Sequence, residues 1–496
     1  MNKNNTQKLP EPEKRELKIA FIPIICSAPL IYAHSHGYFK KNGLNVELIR
    51  PPGWSGIKEL LVYDHVDAAH MLSPMPLACS LGIDGKKADI RLATVQNVNG
   101  QALTLANKHL GITDVRDMKG FTFGVPYRFS MHYYLLCYYL AANGINPLKD
   151  VTIKEVAPPA MPYYLKKGWV DGVFAPEPFN QIPVHRNLGF IHVLSKDIWP
   201  GHPCCSFATS QDFIERYPDT YRTMLKSVLE AELALHNADV EERKKIAREI
   251  SSPNYLGQKD PVPVEQALSG DFPDGKGGQH RIPDRIDFIP YPWEEYGIWM
   301  VSQMQRWAQL PGRVDYREVI ESVFETKETN ELAEALGFAR EDKPNLERIY
   351  PFTGKDAFIY MSNQPYCAFQ EEAKPLAKVE IPEKAFDFLS EISKYAAAVT
   401  GGNLDEEIEI NADGKIGQLQ QLLNEMILNL KFMRDNLTEQ NEKLEEEISE
   451  RKRNEEEMKR FNKMAVDREL KMIELKREIN SLLKESGKEP KYRIAE

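Results

Sequence analysis

The stretch Ile19–Leu44, IAFIPIICSAPLIYAHSHGYFKKNGL, decides how this chain is read. An apolar run from Ile19 to Cys26 ends at Ser27-Ala28-Pro29, and a helical pattern follows to Gly43. Ser27 suits a helix N-cap, and Pro29 suits a first turn, where a missing N–H costs nothing. A buried strand feeding a capped helix leaves backbone N–H groups aimed into the space beyond the strand end. That is a generic site for a small anion or carboxylate, and it makes Cys26 and Ser27 candidate rim residues.

The same alternation continues outward. Short β-branched runs at 18–23, 44–49, 66–72, 91–96, 102–106, 121–125, 151–156, 170–174, 190–194 and 206–209 predict strands. Helical patterns at 29–41, 57–65, 130–142, 161–167 and 178–187 lie between them. This βαβα rhythm predicts an α/β fold with largely parallel sheets, and ten strands are enough for two lobes. Residues 217–250 read as mainly helical, 251–295 as Pro-, Gly- and Asp-rich loops, and 293–310 and 316–336 as returning helices.

Composition narrows the function. A net charge of −10 over 496 residues argues against a general nucleic-acid binder. Residues 1–16 are polar and predict a disordered lead, not a signal peptide, and no apolar run is long enough to span a bilayer. Six cysteines without CxxC spacing point to a reducing, cytoplasmic setting.

Five pieces fall at strand ends or the helix starts after them, where open α/β sheets place ligands. Trp54 lies in Pro52-Gly53-Trp54-Ser55-Gly56, His70 in AHMLSPMP, Gln101 in NVNGQALT, His132 at the start of a helix, and Glu177 in Ala175-Pro176-Glu177-Pro178. Taken alone, His70 reads as a satisfied core histidine, Trp54 as a possible loop plug, and Gln101 as a group mending a broken strand. Glu177 reads as a structural acid at a hinge.

In this order the pieces resemble the nitrate- and bicarbonate-binding proteins of ABC transporters, within a superfamily that includes sulfonate binders and thiamine-pyrimidine synthases. The resemblance covers about residues 17–375 and implies a two-lobe, type II periplasmic-binding-protein clamp. Its nitrate binders use a Trp, a Gln and a His that match Trp54, Gln101 and His132. After a His-Pro turn the family places a charged Lys or Glu, whereas here His202-Pro203-Cys204-Cys205 puts Cys205 in that place. Losing that charge implies a less charged pocket, costing an anion about 1.5–3 kcal/mol of hydrogen bonding. Cys204-Cys205 also resembles part of the iron-handling cysteine cluster of the pyrimidine synthases. Adjacent cysteines chelate one metal poorly, so no metal, no cofactor and no enzymatic activity are expected.

Residues 376–387 read as a linker, after which the composition turns to Lys, Glu, Leu and Asn. Residues 388–433 resemble a HAMP domain, with Gly402-Asn403-Leu404 after the first helix and Asp413-Gly414-Lys415-Ile416-Gly417-Gln418-Leu419 at the second. Residues 434–485 predict a parallel dimeric coiled coil, from Leu437 and Leu444 and later Met472, Ile479, Leu475 and Leu482, followed by a disordered end at 486–496. The whole therefore predicts a cytoplasmic sensor. It would clamp a small solute such as nitrate or bicarbonate and signal as a dimer to a separate effector such as a histidine kinase. A transporter solute-binding subunit and a pyrimidine-synthase-like enzyme are the alternatives.

Overall fold

The computed structural model describes residues 10–311, 314–339, 343–344, 471–485, 487 and 489. The chain divides into two compact units, Met1–Ala377 and Lys378–Glu496. In the first unit the strands are, in chain order, β1 (Glu16–Ala20), β2 (Asn45–Ile49), β3 (Ala68–Leu72), β4 (Ile90–Asn99), β5 (Gln101–Ala106), β6 (Thr122–Val125) and β7 (Thr152–Glu155). There follow β8 (Gly172–Pro176), β9 (Gly189–Leu194), β10 (Pro203–Ser210), β11 (Asp271–Pro273), β12 (Gln279–Arg281) and β13 (Ile286–Asp287).

One sheet has the order β13-β4-β10-β3-β1-β2 and a second the order β7-β6-β8-β5-β9, with β11 and β12 forming a separate hairpin. All ten expected strands form. Their direction differs from expectation, because both large sheets are mixed. In the first, β10 and β13 run against β4, while β1, β2 and β3 are parallel. In the second, β5 runs against both β8 and β9. The reason is the connectivity. β4 passes directly into the second sheet as β5, and the chain returns as β10, so the strands that carry it across oppose their neighbours.

The first crossing is a single residue, Gly100, at φ +81°. A Cβ there would lie 2.7 Å from Cδ1 of Ile286, so both the backbone angle and the space call for glycine. β3 is buried along its whole length, as expected of a central strand covered on both faces.

The opening stretch differs in detail from its reading. The helix runs Ala28–Ser35, breaks where Gly37 turns left-handed at φ +72°, and resumes as Tyr38–Lys41. Ser27 occupies the N-cap position but does not cap. Its hydroxyl donates back to the carbonyls of Ile22 and Ile24. The loop region 251–295 holds a helix, Val262–Ser269, besides the hairpin. The expected 316–336 helix is two, Tyr316–Glu321 and Thr326–Leu336. The ordered chain also starts earlier than position 17: the Glu13 carboxylate accepts from the backbone N–H and hydroxyl of Thr220.

In the second unit, 471–485 is helical. The linker, the HAMP-like segment and the coil before residue 471 lie outside the described residues. Among the described residues no helix is long and apolar enough to cross a membrane.

Candidate functional site

The site is organised around Cys204 at the start of β10. Neighbouring residues of a strand point to opposite faces, so Cys204 and Cys205 should diverge. Here the pairing of β10 with β4 shifts register between Pro203 and Cys205 and again between Cys205 and Ser206. These irregularities bring the two Sγ atoms to 3.7 Å. Cys26, in the turn Ile25–Ser27 beyond β1, approaches from the other side, with its Sγ 3.6 Å from that of Cys204. The ligand atoms of all three cysteines lie within 4.8 Å of one another, and all three are buried. Two adjacent cysteines make a poor chelate, but folding adds a third sulfur, which revises the expectation of no metal-binding capacity.

Polar side chains from both lobes converge on this cluster. Gln101 opens β5, and its carboxamide borders Cys204 without forming a well-shaped hydrogen bond. His132 is the second residue of the helix Met131–Ala142, held in place by the Ser130 hydroxyl, which accepts from Tyr133 N–H. His132 interacts electrostatically with Cys204, as does His70 on β3. Trp54 begins the helix Trp54–Val62 and tilts against His70, ring centroids 5.6 Å apart. The indole N–H of Trp54, both ring nitrogens of His70 and His132, and both amide atoms of Gln101 are buried without a hydrogen-bond partner. His70 is therefore not a satisfied core histidine, and Gln101 does not mend the strand. Buried polar groups are normally paired, so this concentration of unpaired ones marks a place where a ligand can complete them.

The thiols are electrostatically unequal. Burial pushes the Cys204 thiol up, but hydrogen bonds from Cys205 and Cys26, together with His132, outweigh it and hold Cys204 well below the usual thiol range. Burial and the neighbouring sulfurs push Cys26 and Cys205 well above it. Burial lowers His70 to about 3 and His132 and His202 to about 4, so these imidazoles are neutral at pH 7 and keep a lone pair available.

Glu177 stands beside the site and not in it. Its side chain and that of Arg285 are fully buried and form an ion pair, and Arg285 also donates to Gln181 Oε1 at 2.8 Å. The Glu177 backbone accepts from Ile25 N–H and donates to the Gly100 carbonyl, so it ties both lobes at their crossing. Ser27 is engaged with its own backbone as described. Gln96, on β4, and Nε2 of His202 join the unpaired buried set without having been predicted, while His202 Nδ1 lies 3.0 Å from the Pro203 carbonyl oxygen. The His202-Pro203 dipeptide beside the cysteines was the available signal for His202, whereas Gln96 had none.

Residues 10–251 match the NMT1-like family. That match covers just under half of the chain. The chain is homologous to the nitrate/nitrite binding protein NrtA of Nostoc, 29% identical over 358 residues that cover 68% of this chain and 80% of that one. It is also 29% identical over 374 residues to the nitrate import ATP-binding protein NrtC of Synechocystis, covering 71% of this chain and 54% of the relative. It thus spans about half of that relative's length. Among solved structures, the periplasmic nitrate-binding protein NrtA from Synechocystis superposes with a TM-score of 0.62 at 23% identity, over 66% of this chain and 90% of that one. The alkanesulfonate-binding protein SsuA from Xanthomonas axonopodis, bound to MOPS, superposes with a TM-score of 0.50 at 16% identity, over 62% and 98%. These similarities establish the two-lobe periplasmic-binding-protein fold for the first unit.

Proposed function

We propose that the first unit is a solute-binding clamp serving ABC-type import, taking a small solute between its two sheets. The relatives named for nitrate import and nitrate/nitrite binding support import above the sensor reading, and they support binding above catalysis. The observation that carries the proposal is the set of unpaired buried donors and acceptors from both lobes, Trp54 and His70 on one side and Gln101 and His132 on the other. A planar oxyanion can accept from indole, carboxamide and imidazole N–H groups together, without needing a cationic partner. Ser27, Cys26 and Cys205 line the same end of the sheet as neutral groups, whereas Cys204, held well below the usual thiol range, is the group there that would oppose an anion.

Calorimetric titration of the full, metal-free, reduced chain against nitrate, nitrite, bicarbonate and a short alkanesulfonate tests this. Binding of one of them, weakened about tenfold or more by Gln101→Ala and by His132→Ala, supports the clamp. No heat from any of the four, or binding indifferent to both substitutions, refutes it.

A second reading keeps the sensor expected from the sequence. Met472, Leu475, Ile479 and Leu482 are exposed along the 471–485 helix, which favours a partner helix there and hence a dimer coupled to an effector. The free thiols at 26, 79, 137, 204 and 205 suit the cytoplasmic placement that this reading carries.

A further inference from the structure

We propose that Cys26, Cys204 and Cys205 form a binding site for a thiophilic metal ion, completed by a nitrogen donor from His132 across the cleft. The proposal shares its cleft with the solute reading but does not depend on it.

Three independent observations carry it. The first is spacing. Two thiolates bound to one tetrahedral Zn(II) at about 2.3 Å stand about 3.8 Å apart. The Cys26–Cys204 and Cys204–Cys205 separations of 3.6 and 3.7 Å already match. The second is the register shift in β10. Without it Cys205 would face away from Cys204, so the irregularity re-aims the sulfur that a chelate needs. The third is the buried imidazole. His132 is fully buried, interacts with Cys204 and has both ring nitrogens unpaired. Its nitrogens fall outside the group of three sulfurs that lie within 4.8 Å of one another, so His132 would join as the lobes close on the ion, giving three sulfurs with one nitrogen, a familiar closed donor set for a borderline-soft ion.

The placement of these donors has a consequence. The cysteines belong to the first sheet and the turn that follows β1, whereas His132 stands on a helix packed with the second sheet. An ion bound to all four would hold the lobes together across the Gly100 crossing. Each thiol that becomes a ligand releases its proton to solvent, so uptake should weaken as the pH falls.

The test uses the full chain, reduced with a phosphine, stripped of metal by a chelator, and titrated with Co(II) and then Zn(II). The expected result is one Co(II) per chain, with thiolate-to-cobalt charge-transfer absorption and the visible bands of a tetrahedral site, both lost on adding Zn(II). Cys204→Ser and Cys26→Ala should each weaken uptake by about tenfold or more and dim the charge-transfer band. His132→Ala should shift the visible bands while leaving the charge transfer. Cys79→Ser and Cys137→Ser, which alter buried thiols outside the cluster, should change neither.

Circular dichroism shows whether each variant is folded. Uptake of Cu(I) without Co(II) would still support a thiophilic site. No uptake of any of the three ions by the folded wild-type chain, or a Cys26→Ala spectrum like that of wild type, overturns it. An anion that binds the metal-free chain when none of the three ions does would sink this assignment and leave the solute reading standing. Cobalt binding with no anion binding would do the reverse.

Discussion

Glu177 and Arg285 form an ion pair in which neither side chain touches solvent, at the place where the two sheets exchange a strand. Gln181 and the face of Phe272, 3.9 Å from the guanidinium carbon, complete the surroundings of Arg285. A buried pair of this kind adds little net stability over an apolar substitute, but breaking it strands a charge. Arg285→Met should therefore cost about 3–5 kcal/mol in urea unfolding. Glu177→Leu combined with Arg285→Met should recover most of that loss. A double variant no better than the single one would show that the pair does more than neutralise itself.

Gly100 separates β4 from β5 and sits against Ile286. Gly100→Ala places a methyl in a left-handed backbone and 2.7 Å from the Ile286 side chain. The expected cost is about 1–3 kcal/mol, with solute binding impaired because the chain passes from one sheet to the other here. Adding Ile286→Ala should relieve the clash but not the backbone strain, so rescue should be partial. Full rescue would show that space alone matters.

These two positions also show what the sequence could and could not tell. The alternation of apolar and helical runs located ten of the eleven strands of the two large sheets, because a buried strand announces itself by local composition; β13, two residues long, lies in a stretch that reads as loop. Strand direction is not local. Nothing in Val95 or Phe207 says that β4 and β10 oppose each other; that follows from which strands carry the chain between lobes. Trp54, Gln101 and His132 were legible through their resemblance to a known binding pattern. The Cys26–Cys204 contact was not, since 178 residues separate the partners and the register shift that re-aims Cys205 has no signature in a strand pattern. Arg285 was equally hidden, in a segment that reads as loop.

His192 provides a test of the pH dependence outside the site. Burial, aided by Lys276, lowers it to about 4, and its Nε2 lies 3.0 Å from the Tyr139 hydroxyl. The unfolded chain binds a proton near pH 6.5 that the folded chain refuses until about pH 4. Its contribution is thus fully present above pH 6.5 and is lost as the pH falls toward 4. The loss should reach roughly 2 kcal/mol, allowing for partial exposure. Urea midpoints measured on metal-free protein from pH 7.5 to 4.5 should fall, and less steeply in His192→Gln. An identical slope in the variant would contradict the assignment.

Glu232 works with the opposite sign. Its side chain is fully buried in the helix Pro218–Asn237, both carboxyl oxygens lack a well-formed hydrogen bond, and burial raises it well above its usual range despite the neighbouring Thr94 hydroxyl. A raised acid contributes stability below its unfolded value, and that contribution is lost as the pH rises toward the folded one. Glu232→Gln keeps the shape and removes the ionisation. It should stabilise the protein at pH 8, by roughly 1–3 kcal/mol, and do little at pH 4.5. Destabilisation at pH 8 would mean that the carboxyl has a charged partner.

The exposed stripe of the 471–485 helix bears on the second functional reading. Met472, Leu475, Ile479 and Leu482 are 39–58% exposed, and they recur at steps of three, four and three residues. That is the a/d spacing of a two-stranded seam, and apolar residues of this size gain about 1.5–3 kcal/mol each on full burial. If the stripe pairs with a second copy, the full chain should sediment at twice its mass of 56.8 kDa. Leu475→Glu with Ile479→Glu should then shift it toward the single-chain mass, because two charges would have to enter the seam. The clamp should keep its solute affinity in that variant, since the substitutions lie in the other unit. A wild-type chain already sedimenting at 56.8 kDa at micromolar concentration would remove the dimer, and with it the main support for a signalling role.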